Sequence, residues 1–226
     1  MKKPEFALNA APGSGAGPAR KANGTAIRDA SRAGRERAVY YRVIAAIVAL
    51  ALGFAGSAIL TREVPHPEAE AMRRAALRMA SAEKSIAAHR ATLGIATDPA
   101  LDPHRTGLIG IESSILTTTV GDIVAKRTVT STAFAALAVR YFYDLGLKSG
   151  DAVAVGSSGS FPGALLAVLA ACAETGVKPI VIASVGASEF GANIEGLSDA
   201  EMMVAARDAG TLPFEPAAIS PGGDGD

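Results

Sequence analysis

Ten residues in the second half of this chain have types and spacings that suit chemistry: Glu112, Thr118, Lys126, Arg127, Gly156, Ser158, Gly159, Ser160, Ser188 and Asn193. A carboxylate, an adjacent basic pair, several hydroxyls and an amide in one cleft fit a polar ligand such as an amino acid or a peptide. The run Gly156-Ser-Ser-Gly-Ser160 carries the clearest pattern. Its small residues leave backbone N–H groups approachable just ahead of a helix, where the helix dipole favours an anion. The plainer reading is a tight turn whose serines only cap that helix.

Covalent chemistry would fall to Ser158 or Ser160. The Gly-x-Ser-x-Gly pattern is absent around Ser158, because Ser160 stands where the second glycine belongs. His66, His89 and His104 lie outside the polar loops, so a Ser-His-acid triad has no base there, and a serine paired with Lys126 is the remaining arrangement. Gly156, Gly159 and Gly163 lack the spacing of a Walker A loop or a dinucleotide fingerprint, and no lysine follows them. No nucleotide cofactor is expected. Cys172 is the single cysteine, so an intrachain disulfide and a cysteine-based metal site are excluded, and the histidines have no ligand spacing.

The elements that must position these residues read as an α/β domain with a parallel, doubly wound-like sheet. Residues 152–155 form a short β-prone run that Gly156 stops. A helix over 164–173, with Ser160 as its cap and Pro162 in its first turn, ends at Gly176, and residues 180–185 form a second buried strand. Strand, helix and strand joined in this way make a parallel pair. Residues 106–114 read as an earlier strand ending at Glu112. Residues 115–128 then read as an overlong loop carrying Thr118, Lys126 and Arg127, followed by a helix over 132–145. Ser188 and Asn193 lie in a glycine-bearing loop, and Ser198 with Asp199 caps a helix to about 209. Residues 216–219 start a fourth strand. All the polar loops then open on the carboxyl edge of one sheet, where ligands of such folds bind. A doubly wound domain would be expected to continue from there, so the expected sheet is C-terminally incomplete.

Charge divides the remainder. Residues 1–42 hold nine Lys or Arg against three Asp or Glu, and residues 62–226 hold thirteen against nineteen. Between them, residues 43–61 carry no charge, and nineteen residues of helix span about 28 Å, enough for a bilayer core. The expected organisation is a disordered basic tail over 1–42, a transmembrane helix over 43–61, a helical stalk and linker over 62–106 and the α/β domain over 107–226. By the positive-inside rule the tail is cytoplasmic and the domain extracytoplasmic in a single-pass cell-membrane protein, with Tyr40 and Tyr41 at the lipid interface. A cleaved signal peptide is the rival, since Ala55-Gly-Ser57 resembles a cleavage site. In the stalk, Met72, Ala75, Met79, Ala82 and Ile86 make a thin apolar stripe for the domain or for a second copy, a homo-oligomer. The net acidity of residues 62–226 argues against nucleic acid.

Several separated blocks agree in order with one family. Thr106-Gly-Leu-Ile-Gly-Ile-Glu112, Leu116-Thr-Thr-Thr-Val-Gly121, Ala125-Lys-Arg-Thr128, Val155-Gly-Ser-Ser-Gly-Ser-Phe-Pro162, Ser184-Val-Gly-Ala-Ser188 and Phe190-Gly-Ala-Asn193 resemble the poly-gamma-glutamate system proteins. The resemblance covers roughly residues 60–226. It implies a membrane-anchored accessory protein in the synthesis, export or anchoring of poly-gamma-glutamate, with the synthase and export components and the anionic polymer or its precursor as partners. Lys126, Arg127 and Ser160 come with it only as members of matching motifs. Family members run on past the Gly-Gly segment, where this sequence stops at Asp226. An envelope serine hydrolase or transpeptidase-like enzyme and a structural membrane scaffold are the alternatives.

Overall fold

The computed structural model describes residues 18–60 and 65–222, and the chain divides into two compact units between Val64 and Pro65. Residues 1–17 of the expected tail lie outside the described residues. In the first unit a single helix, α1 (Pro18–Leu60), replaces the expected disorder of residues 18–42. Alanine and arginine are good helix formers and no proline lies between Pro18 and Pro65, so the helix propagates through the basic segment into the apolar one. Its stretch Gly34–Ser57 is long and apolar enough to cross a membrane. Leu50, Leu52 and Phe54 there are all exposed.

The second unit begins with α2 (Ala69–Thr92), which contributes to the hydrophobic core of that unit. Ala71, Ala75, Met79, Ala82 and Ile86 recur at three- and four-residue steps and are buried. The stripe looks thin in sequence because its alanines are small, yet small residues are what let helices approach closely. It packs against α4 (Ala133–Asp144), α5 (Pro162–Thr175) and α6 (Asp199–Asp208). Glu174 of α5 locks the pair, accepting hydrogen bonds from Arg74 Nε at 2.8 Å and Arg78 Nε at 2.5 Å on α2.

Three parallel strands carry the unit: β2 (Ala152–Ser157), β3 (Lys178–Ser184) and β5 (Ala218–Ser220), in the order β2-β3-β5. A second, two-stranded parallel ladder joins β1 (Thr117–Thr119) to β4 (Ala187–Ser188), with Thr117 opposite Ala187 and Thr119 opposite Ser188. The βαβ unit β2-α5-β3 is as expected from sequence, with Pro162 at the start of α5 and Gly176 at its end in the left-handed conformation. Phe161, not Ser160, occupies the capping position. The helix α6 does begin with a capping box of Ser198 and Glu201. The overlong loop resolves into β1 and a short helix, α3 (Ile123–Val129), capped by Asp122, whose carboxylate accepts from Val124 N–H at 2.7 Å.

Residues 106–114 form no strand and pair in neither ladder, which corrects the expected first strand. Side chains, together with two backbone bonds to Phe190, take the place of a strand ladder. Arg90 Nη1 donates to the carbonyls of Gly107 at 3.3 Å and Ile109 at 2.6 Å, and Asn193 both accepts from Ile111 N–H at 3.0 Å and donates to its carbonyl at 2.7 Å. Gly107 has φ +79°, and a Cβ there would sit 2.7 Å from Ala87 Cα, so only glycine lets this segment lie against α2.

Helices cover one face of the three-stranded sheet, since α5 and α6 both pack against α2. The opposite face presents Ile180, 53% exposed, and Ile182, 52% exposed, beside Ala154 and Ala218. Two adjacent exposed isoleucines on a parallel sheet favour self-association. Replacing both with Thr is expected to leave the melting temperature within a few degrees and to reduce self-association of the detergent-solubilised chain, read by sedimentation velocity. Unchanged association in the double variant would clear this face.

Candidate functional site

Three elements converge at the carboxyl end of β2. The β2-α5 loop brings Ser157, Ser158, Gly159 and Ser160, β4 brings Ser188, and α3 brings Lys126 from below. Lys126 Nζ donates to Ser188 Oγ at 2.5 Å and to the Ser160 carbonyl at 2.6 Å. Ser160 Oγ in turn accepts from Ser188 N–H at 3.1 Å. The Phe161 ring covers the ammonium, its centroid 4.0 Å from Nζ. Lys126 is 2% exposed, and among the described residues no carboxylate forms an ion pair with it. Burial therefore holds its pKa below the ordinary lysine range, opposed only by the charge of Asp122.

Gly159 shapes the loop. It has φ +72°, and a Cβ there would fall 2.7 Å from the Gly186 carbonyl oxygen, so the β2 and β3 loops can close on each other only at glycine. Ala192 N–H donates to the Gly159 carbonyl at 2.8 Å and ties in the third loop. Ser184 Oγ donates to the Ser157 carbonyl at 2.9 Å. Beneath them Asp199, fully buried in the first turn of α6, accepts from Ser157 Oγ and is also held by the Gly159 N–H, while its Oδ1 has no partner. Burial pushes this carboxyl up to about 6 against the pull of those two donors.

Compared with protein families, with curated proteins and with solved structures, the chain matches none.

Of the residues singled out from sequence, Lys126, Ser160 and Ser188 meet directly, and Gly159 supports them. Ser158 is exposed, and its Oγ accepts only from Ser160 N–H, at 3.4 Å. The adjacent basic pair divides, because neighbouring helical residues face different ways. Arg127 donates to the carbonyls of Leu101, at 2.7 Å, and Ala100, so it secures the connection after α2. Asn193 is fully buried and clamps residue 111. Thr118 and Glu112 are exposed, and the Thr118 hydroxyl donates to the Ala187 carbonyl at 3.4 Å. Gly156 lies at the exposed face of β2. A groove of about 470 Å³ between α2, α6 and β5, lined by His89, Leu93, Val204 and Ile219, contains none of these residues.

Asp199 went unrecognised as a site residue in sequence because Ser198-Asp199 satisfies a capping pattern with either residue. The signal that separates them is Glu201, three residues after Ser198: the capping box engages Ser198 and leaves the Asp199 carboxyl for the β2 loop.

Proposed function

We propose that the chain is a membrane-anchored accessory protein of the cell envelope that takes part in the synthesis, export or anchoring of poly-gamma-glutamate. Its N-terminus is cytoplasmic and its α/β unit extracytoplasmic, and it works beside the synthase and export components. What supports the reading is convergence: three of the separated blocks that carry the family resemblance, those holding Lys126, Ser160 and Ser188, meet at one sheet edge. The arginines that precede the apolar span supply the orientation. In this reading Lys126, in its protonated form, gives the loop at residues 156–160 a positive charge in a unit of net negative charge, so an anionic polymer finds its attraction locally.

The full chain in detergent micelles is expected to bind gamma-linked glutamate oligomers more tightly than alpha-linked ones, with affinity that falls as salt rises. Protease added to intact spheroplasts should remove the α/β unit. Equal affinity for both linkages, or full protection of the unit, would overturn the proposal.

A further inference from the structure

A buried lysine without a counter-ion is costly. An ordinary core would pair it with a carboxylate or replace it with an apolar residue of similar length. Lys126 has neither remedy: it is 2% exposed and no described carboxylate forms an ion pair with it, Asp122 acting only at a distance, so its Nζ is held by the Ser160 carbonyl, the Phe161 ring and a hydroxyl. That hydroxyl belongs to Ser188, itself 5% exposed and fixed by the β1-β4 ladder and by its N–H bond to Ser160 Oγ. We propose that Ser188 and Lys126 form a nucleophile and general-base dyad for acyl transfer from a carboxylic amide or ester.

The roles follow from the contacts. With Nζ neutral, the Ser188 hydroxyl donates to it across the same 2.5 Å. Ser188 Oγ attacks the acyl carbon, a C–O bond forms, and the serine proton passes to Nζ. When the tetrahedral intermediate collapses, the carbonyl–leaving-group bond breaks and Lys126 returns that proton to the departing amine or alcohol. Water, or an amine acceptor, then attacks the Ser188 ester, gives its proton to Nζ, and the serine oxygen recovers it. Desolvation is the means by which a lysine becomes a base near neutral pH, and burial acts on Lys126 in that direction. Ser160 Oγ accepts from Ser188 N–H beside the nucleophile and keeps its own proton for the developing oxyanion. Phe161, 41% exposed with its ring over Nζ, is the cover that an incoming acyl group displaces. If the proposed polymer function holds, the acyl donor is a gamma-glutamyl amide; that choice of substrate rests on that reading, whereas the dyad does not.

The full chain in detergent, treated with a fluorophosphonate probe, should gain one adduct at Ser188, read by intact mass and by peptide mapping. Labelling should be absent in Ser188→Ala and faster in Phe161→Ala. Lys126→Arg keeps the charge but cannot act as a base, and it should label ~10²–10⁴-fold more slowly. Its melting curve reports whether the variant is folded. The rate in the parent should rise with pH through an inflection below the ordinary lysine range. Absence of a Ser188 adduct in both the parent and Phe161→Ala, or a folded Lys126→Arg that labels at the parental rate, would overturn the dyad. Labelling that gamma-linked oligomers fail to compete would support the dyad and count against the polymer as its substrate.

Discussion

Raising the pH from 4.5 to 7.5 is expected to destabilise the α/β unit, and Glu83→Gln is expected to remove a large part of that loss. Glu83 lies on α2 with its side chain buried, Oε1 has no hydrogen-bond partner, and the carboxylate of Asp102 lies near enough to oppose a second negative charge. Burial first, and Asp102 second, push its carboxyl up to about 7. A folded-state pKa above the unfolded one means that the native chain binds the extra proton. The stabilising contribution is complete below about 4.5, declines as pH rises toward 7, and is gone above it. The interval corresponds to about 3 kcal/mol, and Asp199, pushed up to about 6, adds a second decline of similar size over a slightly lower range. Glu174 works in the opposite sense. Although burial raises its pKa, the bonds to Arg78 and Arg74 outweigh that and leave it lowered, so its contribution is lost only as pH falls below the ordinary glutamate range. Stability should therefore be greatest in mildly acidic solution. The glutamine variant needs no proton to be neutral, so its melting temperature should exceed that of the parent by roughly 5–10 °C at pH 8 and match it near pH 4.5. Parallel melting-temperature profiles for the two proteins from pH 4.5 to 8 would refute the assignment.

The parts of this fold that were legible in the sequence are those whose stabilisation is local. The unit β2-α5-β3 announces itself through an apolar run, Pro162 and Gly176, and α6 through its Ser198-to-Glu201 box, because each signal is read by the same few residues that it orders. Residues 106–114 failed as a strand for the converse reason. Their pattern is β-like, but their backbone is satisfied by the side chains of Arg90 and Asn193 and by the backbone of Phe190, distant residues that no window includes. On α2 the stripe of Ala75, Met79, Ala82 and Ile86 was legible but its partner was not: alanines at core positions look indifferent until partners close enough to use them are known. At the site, the lysine and both of the serines it meets were identified, as was a serine–lysine pairing in general. The sequence pointed to Ser158 or Ser160 for covalent chemistry and to Ser188 only as a ligand contact, because which hydroxyl meets Lys126 depends on where the α3 helix aims its side chain. The residues missed entirely, Glu83, Arg90 and Asp199, are charged groups on helices, where charge ordinarily signals solvent.

Arg90→Ala is expected to be among the most damaging single substitutions in the α/β unit, and to disturb the serine–lysine site although it touches neither residue. The guanidinium is 4% exposed and serves three backbone carbonyls: Gly107 at 3.3 Å, Ile109 at 2.6 Å and Ala96 at 3.1 Å. The first two belong to the segment 106–114, which joins neither strand ladder, so removing Arg90 leaves buried acceptors with no replacement partner. Loss of a charged hydrogen-bonding group under such burial costs on the order of 3–5 kcal/mol. The consequence runs along a named path. Gly110 N–H donates to the Phe190 carbonyl and Phe190 N–H to the Ile111 carbonyl, so the segment that Arg90 seats is itself the seat of the loop two residues beyond Ser188. Lysine at this position should recover part of the stability, since an ammonium on a shorter, non-planar head cannot span the acceptors that a guanidinium fork reaches. Hydrogen exchange gives the decisive reading. In Arg90→Ala the amides of Gly110, Ile111 and Phe190 should lose protection before that of Val181 in the sheet, and labelling at Ser188 should fall in proportion. A variant that melts within a degree of the parent, with those three amides still protected, would show that the segment holds itself in place without the arginine.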